Sequence, residues 1–307
     1  MDYIIDTTTK EGAAIGRLPL AFLIVSFFGI HGYRKGSLSL SGLISAWLVG
    51  MISCYSSWTI AVTLLTFYYS SSKLTKYKAK IKKALEDNHT EGGNRNYIQV
   101  FSNSLSATIY AIMFFLYTNR LSTIINYNYD YFGSFLLCAI IGHYACCNGD
   151  TWASELGILS KSQPILITTL KRVPKGTNGG ISKTGILASL SGGLLIGVFY
   201  YLATITFSTD NDEYRSLSST FHLLPILLLS TLSGLIGSLI DSILGATLQA
   251  SLWSENKKVI VSEERKIPSS ERTKLISGKK ILNNHQVNFI SSLATSLLAG
   301  LLGQLLF

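Results

Sequence analysis

Charged residues are scarce in this chain. Asp, Glu, Lys and Arg make up 14% of its 307 residues, whereas a soluble domain usually carries about 25%. The charges are clustered and the segments between the clusters are long and apolar, so that the mean hydropathy of the whole chain is +0.34. This composition excludes an ordinary soluble protein and indicates a chain embedded in lipid.

Cysteines are few, and the common signatures of soluble catalysis are lacking. The four cysteines, Cys54, Cys138, Cys146 and Cys147, lie in or beside apolar runs, which argues against a disulfide framework. His143, Cys146 and Cys147 have helical spacing, but zinc needs further ligands and no partner set is visible. The sequence has no P-loop and no dinucleotide fingerprint. It also lacks a basic segment in which aromatic residues alternate with Lys and Arg, so nucleic acid is not an expected partner.

Apolar runs long enough to cross a bilayer are abundant. A span needs about 20 mostly apolar residues, and eight segments qualify. They are 18–33, 38–54, 56–72, 101–118, 131–148, 184–206, 222–250 and 288–307. We therefore expect an all-α fold, a polytopic integral membrane helical bundle of about eight transmembrane helices forming a single membrane domain over 1–307. The second and third spans could form a tight hairpin around Tyr55, and the first reads as a retained helix rather than a signal peptide.

The basic residues predict the orientation of the bundle. The loops after predicted spans one, three, five and seven contain all of the 26 Lys and Arg residues except Lys10, Arg17, Arg120 and Arg215. The positive-inside rule places such loops in the cytoplasm. The three larger ones are 73–98, 149–183 and 251–287. The net charge of +9 is thus one-sided, which favours contact with anionic membrane lipids.

Three acidic residues lie within or beside apolar runs, where charge is costly. Asp241 is deep in the seventh span, on a small and polar helix face with Gly234 and Ser238. Tight helix packing would explain the glycine and the serine, but it does not need an aspartate. Asp150 and Glu155 lie in the run GDTWASE and would point roughly 140° apart on a continuous helix. A helix cap is the alternative role for Asp150.

Glycines and cations accompany these acids on the same predicted side. The run Gly176-Thr177-Asn178-Gly179-Gly180 can direct N–H groups at an anion, or it can be a flexible turn. Lys73 and Lys76 end the third span and could instead be snorkelling at the interface. Carboxylates, glycines and cations together are what a Mg²⁺–nucleotide site requires, and its place in a membrane suggests a lipid substrate.

Five runs of the sequence resemble the transmembrane protein 19 family, which includes the plant chloroplast phytyl-phosphate kinase. The runs are SSSKLTK at 70–76, RNYIQVF at 95–101, GDTWASE at 149–155, GTNGG at 176–180 and DSILGA at 241–246. The likeness extends from the first predicted span to the last. It implies a polytopic α-helical fold and, for the plant member, phosphorylation of an isoprenoid monophosphate to the diphosphate with CTP.

The resemblance also implies roles for individual residues. The acids Asp150, Glu155 and Asp241 would hold Mg²⁺, and Asp150, Asp241 and Arg172 would form the catalytic group. The remaining positions would bind the substrate or the nucleotide. They are Lys73, Lys76, Arg95, Asn103, Gly176, Thr177, Asn178, Gly179 and Gly180.

The leading hypothesis is therefore a membrane-embedded, CTP-dependent kinase with an isoprenoid phosphate lipid and a nucleotide as partners. The residues alone leave CTP or ATP open. An ion-coupled transporter would also use an intramembrane aspartate and glycine-interrupted helices, and a non-catalytic membrane scaffold is the third class. We expect a multi-pass protein of the eukaryotic endomembrane, in the endoplasmic reticulum.

Overall fold

The computed structural model describes residues 10–85, 93–118, 123–207, 222–261, 268 and 271–307. These described residues form ten helices and five short strands. The helices are α1 (Lys10–Arg34), α2 (Leu40–Ser56), α3 (Trp58–Lys76), α4 (Ala79–Leu85), α5 (Tyr97–Ser102), α6 (Leu105–Tyr117), α7 (Tyr131–Gly157), α8 (Lys183–Phe207), α9 (Leu223–Leu248) and α10 (Asn284–Gly303). The strands are β1 (Ile165–Leu166), β2 (Gly180–Ile181), β3 (Ser251–Ser254), β4 (Val259–Ile260) and β5 (Thr273–Ser277).

Five helices are long and apolar enough to cross a membrane, namely α1, α7, α8, α9 and α10. Helices α2 and α6 are apolar but shorter, and α3 has 19 residues and ends in a turn that contains Lys73 and Lys76. The predicted polytopic helical membrane bundle is therefore confirmed. The number of eight spans stays a prediction.

A single serine joins α2 to α3. Ser57 has an extended backbone (φ −167°, ψ 143°), and its N–H donates to the carbonyl of Ser53 at the end of α2. The Ser57 hydroxyl accepts a hydrogen bond from the N–H of Thr59 at 3.1 Å, which caps α3. The hairpin expected around Tyr55 is present, and its connecting residue is Ser57, two positions further along the chain.

The predicted fourth span is divided into α5 and α6 by Asn103 and Ser104. The amide of Asn103 donates to the carbonyl of Gln99 at 2.9 Å, and the hydroxyl of Ser104 donates to the carbonyl of Val100 at 2.7 Å. Short polar side chains that bond to nearby carbonyls compete with the helical ladder. The continuous helix predicted over 101–118 is therefore wrong at its start.

Helix α7 is the centre of the bundle and packs against α3, α6, α8, α9 and α10. It extends to Gly157, so residues 149–157 are helical and not part of the predicted loop 149–183. Asp150 consequently lies inside a helix and does not cap one. The predicted loop 251–287 contains a three-stranded antiparallel sheet in the order β4-β3-β5, whose strands of two to five residues are too short to give a clear alternating pattern.

Candidate active site

A polar cavity of about 390 Å³ lies where α7, α8 and α9 meet the glycine-rich loop. Asp150 of α7 and Asp241 of α9 both line it, and residues 176–180 form another part of its wall. Lys175 is also at the wall, with its ammonium group donating to the carbonyl of Ser160. The two intramembrane aspartates and the glycine-rich loop, far apart in the sequence, are thus brought together.

Close glycine contacts between helices position the aspartates. A Cβ atom at Gly149 of α7 would lie 2.7 Å from the carbonyl oxygen of Gly234 in α9 and 2.9 Å from that of Ser189 in α8. Ordinary contacts between carbon atoms are about 3.5–4.0 Å, so only glycine fits. Asp150 follows Gly149 directly, and Ser238 lies one turn beyond Gly234, so this crossing places Asp150 against α9.

Each aspartate accepts a hydrogen bond from a serine of another helix. Ser238 donates to Asp150 Oδ1 at 3.3 Å, and Ser291 of α10 donates to Asp241 Oδ2 at 3.0 Å. Within the described residues the salt bridges include neither aspartate. The two negative charges also act on each other. Carboxylates without a cationic partner in such a setting are costly, and a divalent cation would relieve that cost.

The donor set suits Mg²⁺ better than a fully protein-ligated metal. No group of three His, Cys, Asp or Glu side chains comes together in the described parts of the chain. Mg²⁺ in nucleotide sites is held by one or two carboxylates, with phosphate oxygens and water completing its shell. Asp150 and Asp241 can supply those two carboxylates.

The glycine-rich loop is fixed against the helix that carries Asp241. Gly176 and Gly179 have φ values of +81° and +76°, a conformation that side chains rarely adopt. A Cβ atom at Gly179 would also lie 2.5 Å from the carbonyl oxygen of Ser242 in α9. Glycine at position 179 is therefore required both by its backbone conformation and by contact with α9.

Most of the loop's N–H groups already have acceptors, unlike the open phosphate cradle that the glycines suggested. Thr177 N donates to the carbonyl of Pro174, Gly180 N donates to the carbonyl of Thr177, and Asn178 N donates to the hydroxyl of Ser251. Turn formation and contact with β3 therefore use three of the five N–H groups. The loop contributes a rigid wall more than a set of free donors.

An apolar cavity of about 290 Å³ lies beside the first. Side chains of α1, α2 and α3 form most of it, including Val25, Val49, Leu64 and Phe67. Its other end is polar. The residues there are Ser71, Thr75, Arg95, Gln99, Asn103, Ser104, Thr151, Glu155, Asn284, His285 and Asn288. The cavity thus combines a long apolar part with a charged end.

Arg95 is held at that end by its backbone and its side chain. The N–H of Arg95 donates to the carbonyl of Ser37, and its carbonyl accepts from the N–H of Ser39, both at 3.0 Å. The guanidinium donates to the hydroxyl of Ser72 at 3.0 Å and to that of Thr75 at 3.3 Å. Both acceptors are neutral, and the guanidinium forms no salt bridge in the described parts of the chain.

Glu155 forms a salt bridge with a buried lysine. Lys82 of α4 is fully buried and forms a salt bridge with Glu155, and it also donates to the carbonyls of Leu74 and Thr75 at the end of α3. Burial lowers the pKa of Arg95, and the charge of Glu155 partly offsets this. Glu155 lines the apolar cavity and not the polar one, which separates it from the aspartates it was predicted to join as a metal ligand.

The two cavities meet at three residues. Thr151 of α7 and Asn284 and Asn288 of α10 line both. The amide of Asn288 also lies 3.5 Å from the side-chain oxygen of Asn103. The two cavities therefore adjoin at these three residues.

Three predicted cations lie outside both cavities. Lys73 and Arg172 are exposed, and Lys76 donates to the carbonyl of Lys35 at 3.0 Å.

The sequence patterns predicted no role for Lys82 or Ser291. The spacing of Ser291 at seven residues from Asn284 on one helix face was a usable signal, whereas the pairing of Lys82 with Glu155 depends on the tertiary fold.

His143 has a structural role. Its Nε2 lies 3.0 Å from the carbonyl oxygen of Asn103, which can only accept, so Nε2 carries the proton. Nδ1 then accepts from the hydroxyl of Ser106 at 3.0 Å. Both ring nitrogens are engaged in the protein, which leaves neither for a metal beside Cys146 and Cys147.

This arrangement defines a polytopic helical membrane protein with a carboxylate-bearing cavity joined to an apolar one. Residues 23–296 match the family described as integral membrane protein DUF92, and the chain belongs to that family. It is 40% identical to Protein PGR of Arabidopsis thaliana over 95% of this chain and 98% of the plant protein. It is 28% identical to a membrane protein of Methanocaldococcus jannaschii, over 95% and 94% of the two chains. No solved structure matches it.

Proposed function

We propose that this protein is a membrane-embedded kinase that converts an isoprenoid monophosphate to its diphosphate. The nucleotide would bind in the polar cavity with Mg²⁺, and the isoprenoid chain would lie in the apolar cavity.

One observation carries the proposal. A cavity with paired carboxylates and a cavity with apolar walls share Thr151, Asn284 and Asn288. Transfer between a polar donor and a lipid acceptor requires two sites of opposite character that open onto one point. A soluble kinase would not need the apolar site, and a scaffold would need neither.

Asp150 and Asp241 would hold Mg²⁺ on the nucleotide side. The ion would neutralise the negative charge of the transferring phosphoryl group, as in other phosphoryl transfers. Ser238 and Ser291 orient the two carboxylates through their hydrogen bonds. The closed wall of residues 176–180 would limit the entry of water beside the phosphates.

The acceptor needs no strong base, because a phosphate monoester is already anionic. An oxygen of the lipid phosphate would form a new bond to the γ-phosphorus of the nucleotide. The bond from that phosphorus to the bridging oxygen of the β-phosphate would break, releasing the nucleoside diphosphate. The protein's contribution is to position the two anions and to balance their charge.

The resemblance to the transmembrane protein 19 family supports CTP as the donor, through its plant phytyl-phosphate kinase member. The basic residues support a cytoplasmic active site, and the endoplasmic reticulum would be the membrane. Under this orientation the nucleotide reaches the polar cavity from the cytoplasm.

The test is a transfer assay with purified protein in detergent, Mg²⁺, γ-labelled CTP or ATP, and a panel of prenyl monophosphates. We expect labelled prenyl diphosphate from the wild type, and a loss of about 100-fold or more with Asp150→Asn and with Asp241→Asn. The matched control is Asp130→Asn. Asp130 caps α7 by accepting from Gly133 N, and asparagine is an equally good cap.

No transfer to any lipid, together with no Mg²⁺-dependent nucleotide binding, would overturn the proposal. Uptake by sealed vesicles that requires Asp241 would then favour the ion-coupled transporter. Full activity in both aspartate variants would place the chemistry elsewhere in the chain.

A further inference from the structure

We infer that the apolar cavity selects the lipid acceptor by the length of its chain, with the phosphate bound at Arg95 and the end of the chain near Ala61. This inference rests on the proposed function and assigns specificity to residues of α2 and α3. The acceptor is a lipid monophosphate with one flexible hydrocarbon chain.

The head-group end is identified by charge. Arg95 is the basic residue among those that line the apolar cavity, apart from the imidazole of His285. Its guanidinium donates to the hydroxyls of Ser72 and Thr75 and forms no salt bridge among the described residues. The nearby carboxylate of Glu155 is already paired with Lys82. An anionic phosphate supplies what is missing, and an arginine can bind it through two donors at once. Lys82 cannot compete, because Glu155 neutralises it.

The far end is identified by the course of the cavity along α3. Both Thr75, which contacts Arg95, and Ala61 line the cavity. Fourteen residues of helix separate them, which is about 21 Å at 1.5 Å per residue. Half of a bilayer's hydrocarbon core is about 15 Å, so a chain that fills the cavity reaches past the midplane.

Small residues keep the cavity open along its length. The start of α2 is at the head-group end, because Ser39, which precedes the first residue of that helix, donates to the carbonyl of Arg95. Ala46 also lines the cavity and lies about 9 Å along α2 from this start. Ala61 lies at the distal end beside Cys54. A phenylalanine at either alanine would fill the cavity, but at different depths.

The first test compares kcat/KM over a series of prenyl monophosphates of increasing length for Ala46→Phe, Ala61→Phe and the wild type. We expect Ala61→Phe to lower the value for long chains by about tenfold or more, and to leave short chains unchanged. Ala46→Phe should exclude chains of intermediate length as well. The matched control is Ile44→Phe on the outer face of α2, where Ile44 is 63% exposed.

The second test uses the wild-type protein, so that it does not depend on variants that fold poorly. A prenyl monophosphate with a diazirine at its chain end is photolysed in the protein, and the cross-linked peptide is identified. We expect cross-links in the region of Cys54 and Ala61. Cross-links confined to the outer faces of α1 and α2, or an identical length preference in all variants, would overturn the inference.

The two tests separate this inference from the proposed function. Cross-linking at Cys54 and Ala61 without phosphoryl transfer to any lipid would support the chain site and refute the kinase. Phosphoryl transfer with no effect of Ala46→Phe or Ala61→Phe on chain length would support the kinase and refute the chain site.

Discussion

The polar and apolar cavities are built by different kinds of helix contact. The polar cavity lies beside a crossing of α7, α8 and α9 in which backbones touch through glycine. In an 18-residue apolar stretch of α7, 89% of the residues are buried. The apolar cavity lies among α1, α2 and α3, and only 22% of the corresponding stretch of α1 is buried. The first region fixes the positions of charges, whereas the second is enclosed by side chains beside a helix that faces lipid.

This difference matches the demands of the two proposed ligands. Phosphoryl transfer depends on the placement of charges and loses rate when they move by a fraction of an ångström to an ångström. A hydrocarbon chain is held by apolar area, which is not directional. A rigid glycine crossing suits the first ligand, and side-chain walls on more peripheral helices suit the second.

The largest expected effect concerns the ion pair behind the apolar cavity. Glu155→Gln leaves the charge of the fully buried Lys82 without its partner, and breaking a buried pair costs about 3–5 kcal/mol of stability. Thermal unfolding in detergent measures this loss. The dependence of activity on Mg²⁺ should not change, because Glu155 is separated from Asp150 and Asp241.

The matched control removes both charges. Lys82→Met with Glu155→Leu eliminates the unpaired charge, so the double variant should be more stable than Glu155→Gln. A Glu155→Gln protein with wild-type stability and a much higher Mg²⁺ requirement would restore Glu155 as a metal ligand.

A smaller effect is expected at the glycine crossing. Gly149→Ala adds a methyl group against the backbone of Gly234 and Ser189, and overpacking of this kind costs about 1–3 kcal/mol. Both stability and transfer activity should fall, because Asp150 adjoins the altered position. Gly157→Ala on the same helix is the control, since its Cβ would lie 3.3 Å from the hydroxyl of Ser182, a looser contact than the 2.7 Å at Gly149. Equal effects of the two substitutions would contradict the close crossing.

The smallest effect is expected at the exposed cations. Arg172→Gln and Lys73→Gln alter side chains outside both cavities, and exposed substitutions usually change free energies by no more than about 0.5 kcal/mol. Steady-state transfer kinetics should therefore stay within about threefold of the wild type. A loss comparable to that of Asp241→Asn would return Arg172 to the catalytic group in which the family resemblance placed it.

The membrane class and most helix positions could be predicted from the sequence, because the apolar runs are long and free of charge. The break at Asn103 was missed because asparagine inside an apolar run looks like a buried polar residue until its bond to Gln99 is seen. Asp150, Asp241 and the glycine-rich loop stood out because charge and flexibility are unusual beside lipid.

Other parts of the site depend on tertiary structure and could not be read from local patterns. The pairing of Lys82 with Glu155 joins α4 to α7 over 73 positions. Three of the loop's five N–H groups are occupied by bonds to Ser251 and to its own turns. The existence of two cavities with a shared wall follows only from the packing of all the helices.

The assignment of the nucleotide to the polar cavity and of the lipid to the apolar cavity is tested most directly by measuring the binding of both ligands to two variants. Mg²⁺–nucleotide binding and lipid-monophosphate binding would be determined separately for Asp241→Asn and Arg95→Gln. We predict that Asp241→Asn loses nucleotide binding and keeps lipid binding, and that Arg95→Gln does the reverse. Loss of nucleotide binding in Arg95→Gln with lipid binding intact would contradict the assignment of the two cavities.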